Sequence, residues 1–262
     1  LLHGADQLLS GKLLYKDFWE FYPPGGFLIT EIWMRVFGQS LEFVRGLGVL
    51  IVLGTACFSY LACLSVSGDV LLAIVLTVYG MMATRMGSIA IIHHMPTTML
   101  SVAAAWFSLA SIQRKQHGVG FSILAGLAAG TAAMITSTRG MYAVLAILAT
   151  FVEVKRFRAQ MLASFVACLV APVVCLFYII LNGEFVSVYD DIVRFTLSSY
   201  SSIQGVPWGM NYSWLNGTKD LYPLVGLLTV LTVFRTGGKA LASTRLSVRL
   251  NLWEVKSMAG NR

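Results

Sequence analysis

The chain has 262 residues, of which 57% are hydrophobic and only 12% charged, with a mean hydropathy of +0.74. Soluble domains carry about 25% charged residues, so the composition excludes a free-standing soluble domain and implies an integral membrane protein. The net charge of +7 fits basic loops on one side of a bilayer; no basic face interleaved with aromatics is present, which excludes nucleic-acid binding.

Residues 1–26 form a polar N-terminal segment. Leu1, Leu2, Ala5, Leu8 and Leu9 recur at helical spacing and predict a short amphipathic helix ending near Gly11. From Gly11 to Gly25 runs the densest polar and aromatic stretch of the chain, with Lys12, Tyr15, Lys16, Asp17, Trp19, Glu20 and Tyr22. Pro23 and Pro24 stiffen it, and Gly25 and Gly26 are expected to allow a sharp turn. A second amphipathic helix is predicted over residues 27–37, with Glu31 and Arg35 at i, i+4. It is too short and too charged to span, so the interface is its expected place.

Apolar runs then predict spanning helices over residues 41–66, 70–86, 97–112, 119–138, 141–154, 159–181 and 222–234. Ser67-Gly68-Asp69 is a tight turn with Asp69 as N-cap. Gly126 and Gly130 have the spacing that lets two membrane helices approach closely. Arg139-Gly140 is expected to interrupt the chain between the fourth and fifth helices, and Pro172 to kink the sixth. Residues 182–221 read as a long outer loop, ordered and apposed to the membrane. Cys57, Cys63, Cys168 and Cys175 lie in apolar segments without Cys-x-x-Cys spacing and read as small core fillers. The expected fold is thus an all-α polytopic helical bundle of about seven spanning helices with interfacial amphipathic helices on the outer side. Residues 1–262 read as one transmembrane domain, continued beyond both ends, with outer loops at 1–40 and 182–221.

Seven crossings sort the charges. The short turns holding Arg114, Lys115, Lys155, Arg156 and Arg158, with the basic tail, fall on one side and mark it as cytoplasmic. Nine of the twelve acids fall on the other, among them Asp17, Glu20, Asp190 and Asp191, together with His93, His94, Lys16, Arg85, Arg139 and Arg194. Cations beside a bilayer suit a lipid phosphate, and a carboxylate near them suits deprotonation of a hydroxyl. Transfer from a phosphorylated lipid needs both; a lipid transporter needs only the cations. His93 and His94 are either polar loop residues or metal ligands awaiting a third donor such as Glu20 or Asp190. Arg85 and Arg139 either bind phosphate or snorkel from helix ends.

The stretch Leu8-Leu9-Ser10-Gly11-Lys12-Leu13-Leu14-Tyr15-Lys16-Asp17-Phe18-Trp19-Glu20-Phe21-Tyr22-Pro23-Pro24-Gly25 resembles the first outer loop of the GT-C glycosyltransferases. These are multi-spanning enzymes related to protein mannosyltransferases and to the aminoarabinose transferase of lipid A. The likeness continues through Phe37-Gly38-Gln39-Ser40 to Arg45, with a fainter echo from Ala125-Gly126 to Arg139-Gly140. The resemblance implies a polyprenyl-phosphate sugar donor, a lipid, glycan or protein acceptor, carboxylate base catalysis with inversion, and in some relatives a divalent cation. It implies a bacterial-type inner (plasma) membrane with the site facing the periplasm. It assigns Asp17 and Glu20 to catalysis, Tyr15, Lys16, Arg85, Arg139, Asp190 and Arg194 to substrate binding, and His93 and His94 to a metal or a proton. The family's leading Asp would precede Leu1, and Tyr22 stands where relatives often carry a basic residue. The rivals to this expectation are a lipid-linked sugar flippase and a non-catalytic membrane scaffold.

Overall fold

Helices account for every regular element of the computed structural model, which describes residues 1–83, 93–113, 117–152, 158–182, 185–195 and 197–198, all within the unit Leu1–Ile203. Arg85, the polar turn at 114–116, the basic turn at 155–157, the helix expected over 222–234 and the tail lie outside the described residues.

Helix α1 (Leu2–Leu9) buries Gly4, Ala5 and Leu8, and α2 (Gly25–Phe37) buries Phe27, Thr30 and Met34 at helical spacing. Pro24 sits at the N-cap of α2, where its missing N–H costs nothing. Gly25 and Gly26 make no sharp turn: they open the helix, and the space they leave lets α2 pack against the Met134 carbonyl and Ile135. Close packing, not a bend, is what these glycines supply.

Helix α3 (Leu41–Ser67) is capped by the Ser40 hydroxyl, which accepts from the Phe43 N–H, and ends on Gly68 at φ 68°. Asp69 caps α4 (Val70–Ala83) by accepting from the Leu72 N–H at 3.0 Å. Helices α5 (His94–Gln113) and α6 (Gly118–Ile135) form an antiparallel hairpin, joined by Ser111–Ser122 at 2.6 Å near one end and Thr97–Thr136 at 3.0 Å near the other. Their shared core is alanine-rich: Ala103, Ala104, Ala125, Ala128 and Ala129. Small side chains let backbones touch, as membrane helices require where apolar burial gives no advantage over lipid.

Helix α7 (Ser137–Val152) begins after a break at Thr136, three residues before the predicted interruption, so Arg139 lies in its first turn. Helices α8 (Arg158–Cys168) and α9 (Val170–Asn182) form one bent rod. Its break at Leu169 follows from Pro172, whose missing N–H leaves the Cys168 carbonyl without its helical donor. Residues after Asn182, read from sequence as loop, continue as α10 (Phe185–Val188) and a π-helical turn, Tyr189–Arg194.

Among the described residues, four segments are long and apolar enough to cross a membrane: Leu41–Ser67, His94–Gln113, Gly118–Ile135 and Arg158–Asn182. Of α4 and α7, 14 and 16 residues are described, a rise of about 21 and 24 Å. Contacts still fix the path. Gln113 donates to the Ser65 carbonyl at 3.0 Å, so α3 and α5 end together and the chain returns between Gly68 and His93. Gln160 lies beside Gly118 while Ile135 lies beside Gly26, so it returns again between Thr136 and Arg158. The N-terminal loop closes the end of the bundle where α5 starts and α6 finishes.

Candidate functional site

The N-terminal loop is a folded unit. The Asp17 carboxylate accepts from the Leu13 N–H at 2.7 Å, and the Asp17 N–H donates back to the Leu13 carbonyl at 2.9 Å. Between them Tyr15 takes φ 69°, a left-handed conformation that bulky residues rarely adopt. Tyr15 is only 5% exposed and packs with Leu8, Leu14 and Phe27. Its hydroxyl donates to the Tyr22 carbonyl at 2.7 Å. Burial raises that hydroxyl above the ordinary tyrosine range, so it stays protonated and donates.

Tyr22 carries the loop to α5. Its ring lies 3.7 Å, centroid to centroid, from His93, and His93 lies 4.1 Å from His94. Burial lowers the His93 pKa from 6.5 to about 4, with the nearby His94 and the Arg139 guanidinium adding to the effect. His93 is therefore neutral at physiological pH. The Thr97 hydroxyl donates to the His93 carbonyl at 2.9 Å and meets the Thr136 hydroxyl at 3.0 Å, tying the start of α5 to the α6–α7 break. Arg139, exposed on α7, faces this junction closely enough to act on both imidazoles. Buried His93 Nε2 and His94 Nδ1 have no hydrogen-bond partner among the described residues.

Glu20 is half-buried in the same loop, and burial raises its pKa, partly offset by positive charge that includes His3. Trp19 bonds Asp191 and packs edge-on against Phe195 at 4.9 Å, so the loop also grips the π-helical turn. Burial raises the Asp191 pKa, the Trp19 bond opposes this, and Asp190 reinforces it.

The predicted residues divide accordingly. Tyr15, Glu20, His93, His94 and Arg139 belong to one end of the bundle. Lys16 and Asp17 are exposed on the outer side of the loop. Asp190 and Arg194 form a loose exposed pair at 3.5 Å. Sequence reasoning did not select Thr97 or Thr136; it counted Asp191 among the outer acids and Tyr22 among the loop's aromatics without giving either a role in the site. A divalent cation fits poorly: the imidazole nitrogens are suitable donors, but no group of three His, Cys, Asp or Glu gathers among the described residues, and Arg139 repels a cation. The donors and the guanidinium suit an anion instead.

No model of a known protein family matches the chain, and no curated protein or solved structure is significantly similar to it.

Proposed function

We propose that the protein is a GT-C-type membrane glycosyltransferase, moving a sugar from a polyprenyl-phosphate donor to an acceptor hydroxyl at the outer, periplasmic face of a bacterial-type inner membrane. The observation that carries this reading is that the loop holding the half-buried Glu20 closes, through Tyr22, on the end of the apolar bundle where two imidazoles and the Arg139 guanidinium lie together. Arg139 holds the phosphate of the donor, and His93 and His94 offer it further hydrogen bonds. Glu20, raised by its burial, takes the acceptor's proton. Asp17 is the weaker candidate for this role, because its carboxylate is already engaged in closing the 13–17 turn. Lys16, Asp190 and Arg194 flank the approach, and α1 and α2 rest in the interface. In this reading α4, α7 and the segment after residue 221 complete seven crossings.

A carrier for the same lipid is the weaker alternative. Among the described residues, the polar groups inside the bundle are hydroxyls such as Ser108, Ser111 and Ser122, bonded to backbone or to each other, not cations lining a path. The test is sugar release from synthetic polyprenyl-phosphate donors by wild type, Glu20→Gln and Arg139→Ala. Loss of the base should lower kcat by about 10²–10⁴-fold with KM little changed, whereas Arg139→Ala should act chiefly on KM. Full turnover in Glu20→Gln would overturn the assignment of the base.

A further inference from the structure

We infer that Asp17 and Tyr15 are positioning residues: Asp17 closes the turn that presents the Tyr15 hydroxyl, and Tyr15 holds the Tyr22 backbone so that the Tyr22 ring covers His93. This rests on the reading above only in naming His93's end of the bundle as the site. The contacts themselves are independent of it.

The relay can be followed atom by atom. A left-handed tyrosine needs compensation from its surroundings. Here it comes from reciprocal Leu13–Asp17 bonds at 2.7 and 2.9 Å and from the Tyr15 N–H donating to the Phe18 carbonyl at 3.2 Å. Leu14 and Tyr15, both fully packed, anchor the turn on Phe27 and on Tyr178 of α9. Tyr15 thereby aims its hydroxyl inward at the Tyr22 carbonyl, 2.7 Å away. Tyr22 precedes Pro23, which confines it to extended geometry. With its carbonyl held as well, little freedom remains, and its ring stays 3.7 Å from His93. An exposed carboxylate in the loop thus controls the surroundings of a half-buried imidazole at the start of α5.

The experiment is proton NMR titration of the histidine C2–H signals in the full chain in detergent micelles. The chain has four histidines, and His93→Gln assigns the one in question. Asp17→Asn keeps an oxygen acceptor for the Leu13 N–H, Asp17→Ala removes it, and Tyr15→Phe deletes only the hydroxyl. The expected result is that Asp17→Ala and Tyr15→Phe release His93 and move its titration upward by about one pH unit or more, while Asp17→Asn leaves it in place. Tyr15→Phe decides the matter where Asp17→Ala does not fold. A His93 titration unmoved by Tyr15→Phe, or moved as far by Asp17→Asn as by Asp17→Ala, overturns the relay. Failure of the functional reading has a separate sign: wild type that releases sugar from no lipid-linked donor, whatever the His93 titration does.

Discussion

His93 owes its neutrality to position: Tyr22 lies over it, His94 beside it and the Arg139 charge nearby. A lowered folded-state pKa has a definite linkage. Between 6.5 and about 4 the unfolded chain takes up a proton at His93 that the folded chain refuses, so stability from this group is lost as pH falls through that window. Glu20 works in the opposite sense, since its raised pKa makes the folded state the better proton binder above the ordinary carboxylate value. A comparison with His93→Gln isolates the histidine. Wild type should lose more thermal stability between pH 7 and pH 5 than His93→Gln does, as read by unfolding in detergent; equal losses would mean that His93 is not held neutral. Arg139 was legible in the sequence as a cation suited to a phosphate, and the imidazole pair only as loop residues or metal ligands. Tyr22 was not, because ring stacking on another helix leaves no local trace. Nor was the bond made by Asp17, which depends on the backbone angle of Tyr15.

Helix packing was more readable than helix ends. Small residues at 126 and 130 predicted a close approach, and a Cβ on either glycine would strike a backbone carbonyl of α8, at Ser164 or Cys168. Backbone cannot swing aside, so Gly126→Ala should destabilise the bundle by ~1–3 kcal/mol, the usual cost of overpacking. Gly120 on the same helix has nothing within 4 Å. There the same change should be neutral or should stabilise by ~0.5–1 kcal/mol, because alanine is the better helix former. Denaturation of both variants in one detergent checks the contrast, and equal effects would show that α6 and α8 do not touch as described. The end of α6 was misplaced because its cause is tertiary. Gly140, read as an interruption, is buried against Ala132 and Ala133 and continues α7. The break falls instead at Thr136, whose hydroxyl meets Thr97 from the neighbouring helix.

Across the whole molecule the apolar runs announced a helical membrane bundle but not how many of them cross. Hydropathy marks each run as apolar without revealing which ends of the bundle its neighbours share. Contacts give the missing order: the N-terminal loop, His93 and Thr136 share one end, while Ser65, Gln113 and Gly118 share the other. If α5 and α6 traverse the bilayer, these ends face different compartments, and the proposed orientation, with the basic turns inside, puts the loop outside. Single cysteines at exposed positions, Lys12→Cys in the loop and His117→Cys before α6, test this in cells after replacement of the four native cysteines. A membrane-impermeant maleimide should label Lys12→Cys in intact cells and His117→Cys only after permeabilisation. Labelling of both from one side would remove α5 and α6 as crossings. The reverse pattern would keep the bundle but place Glu20, His93 and Arg139 in the cytosol, where a periplasmic transfer of sugar from its isoprenoid carrier could not occur.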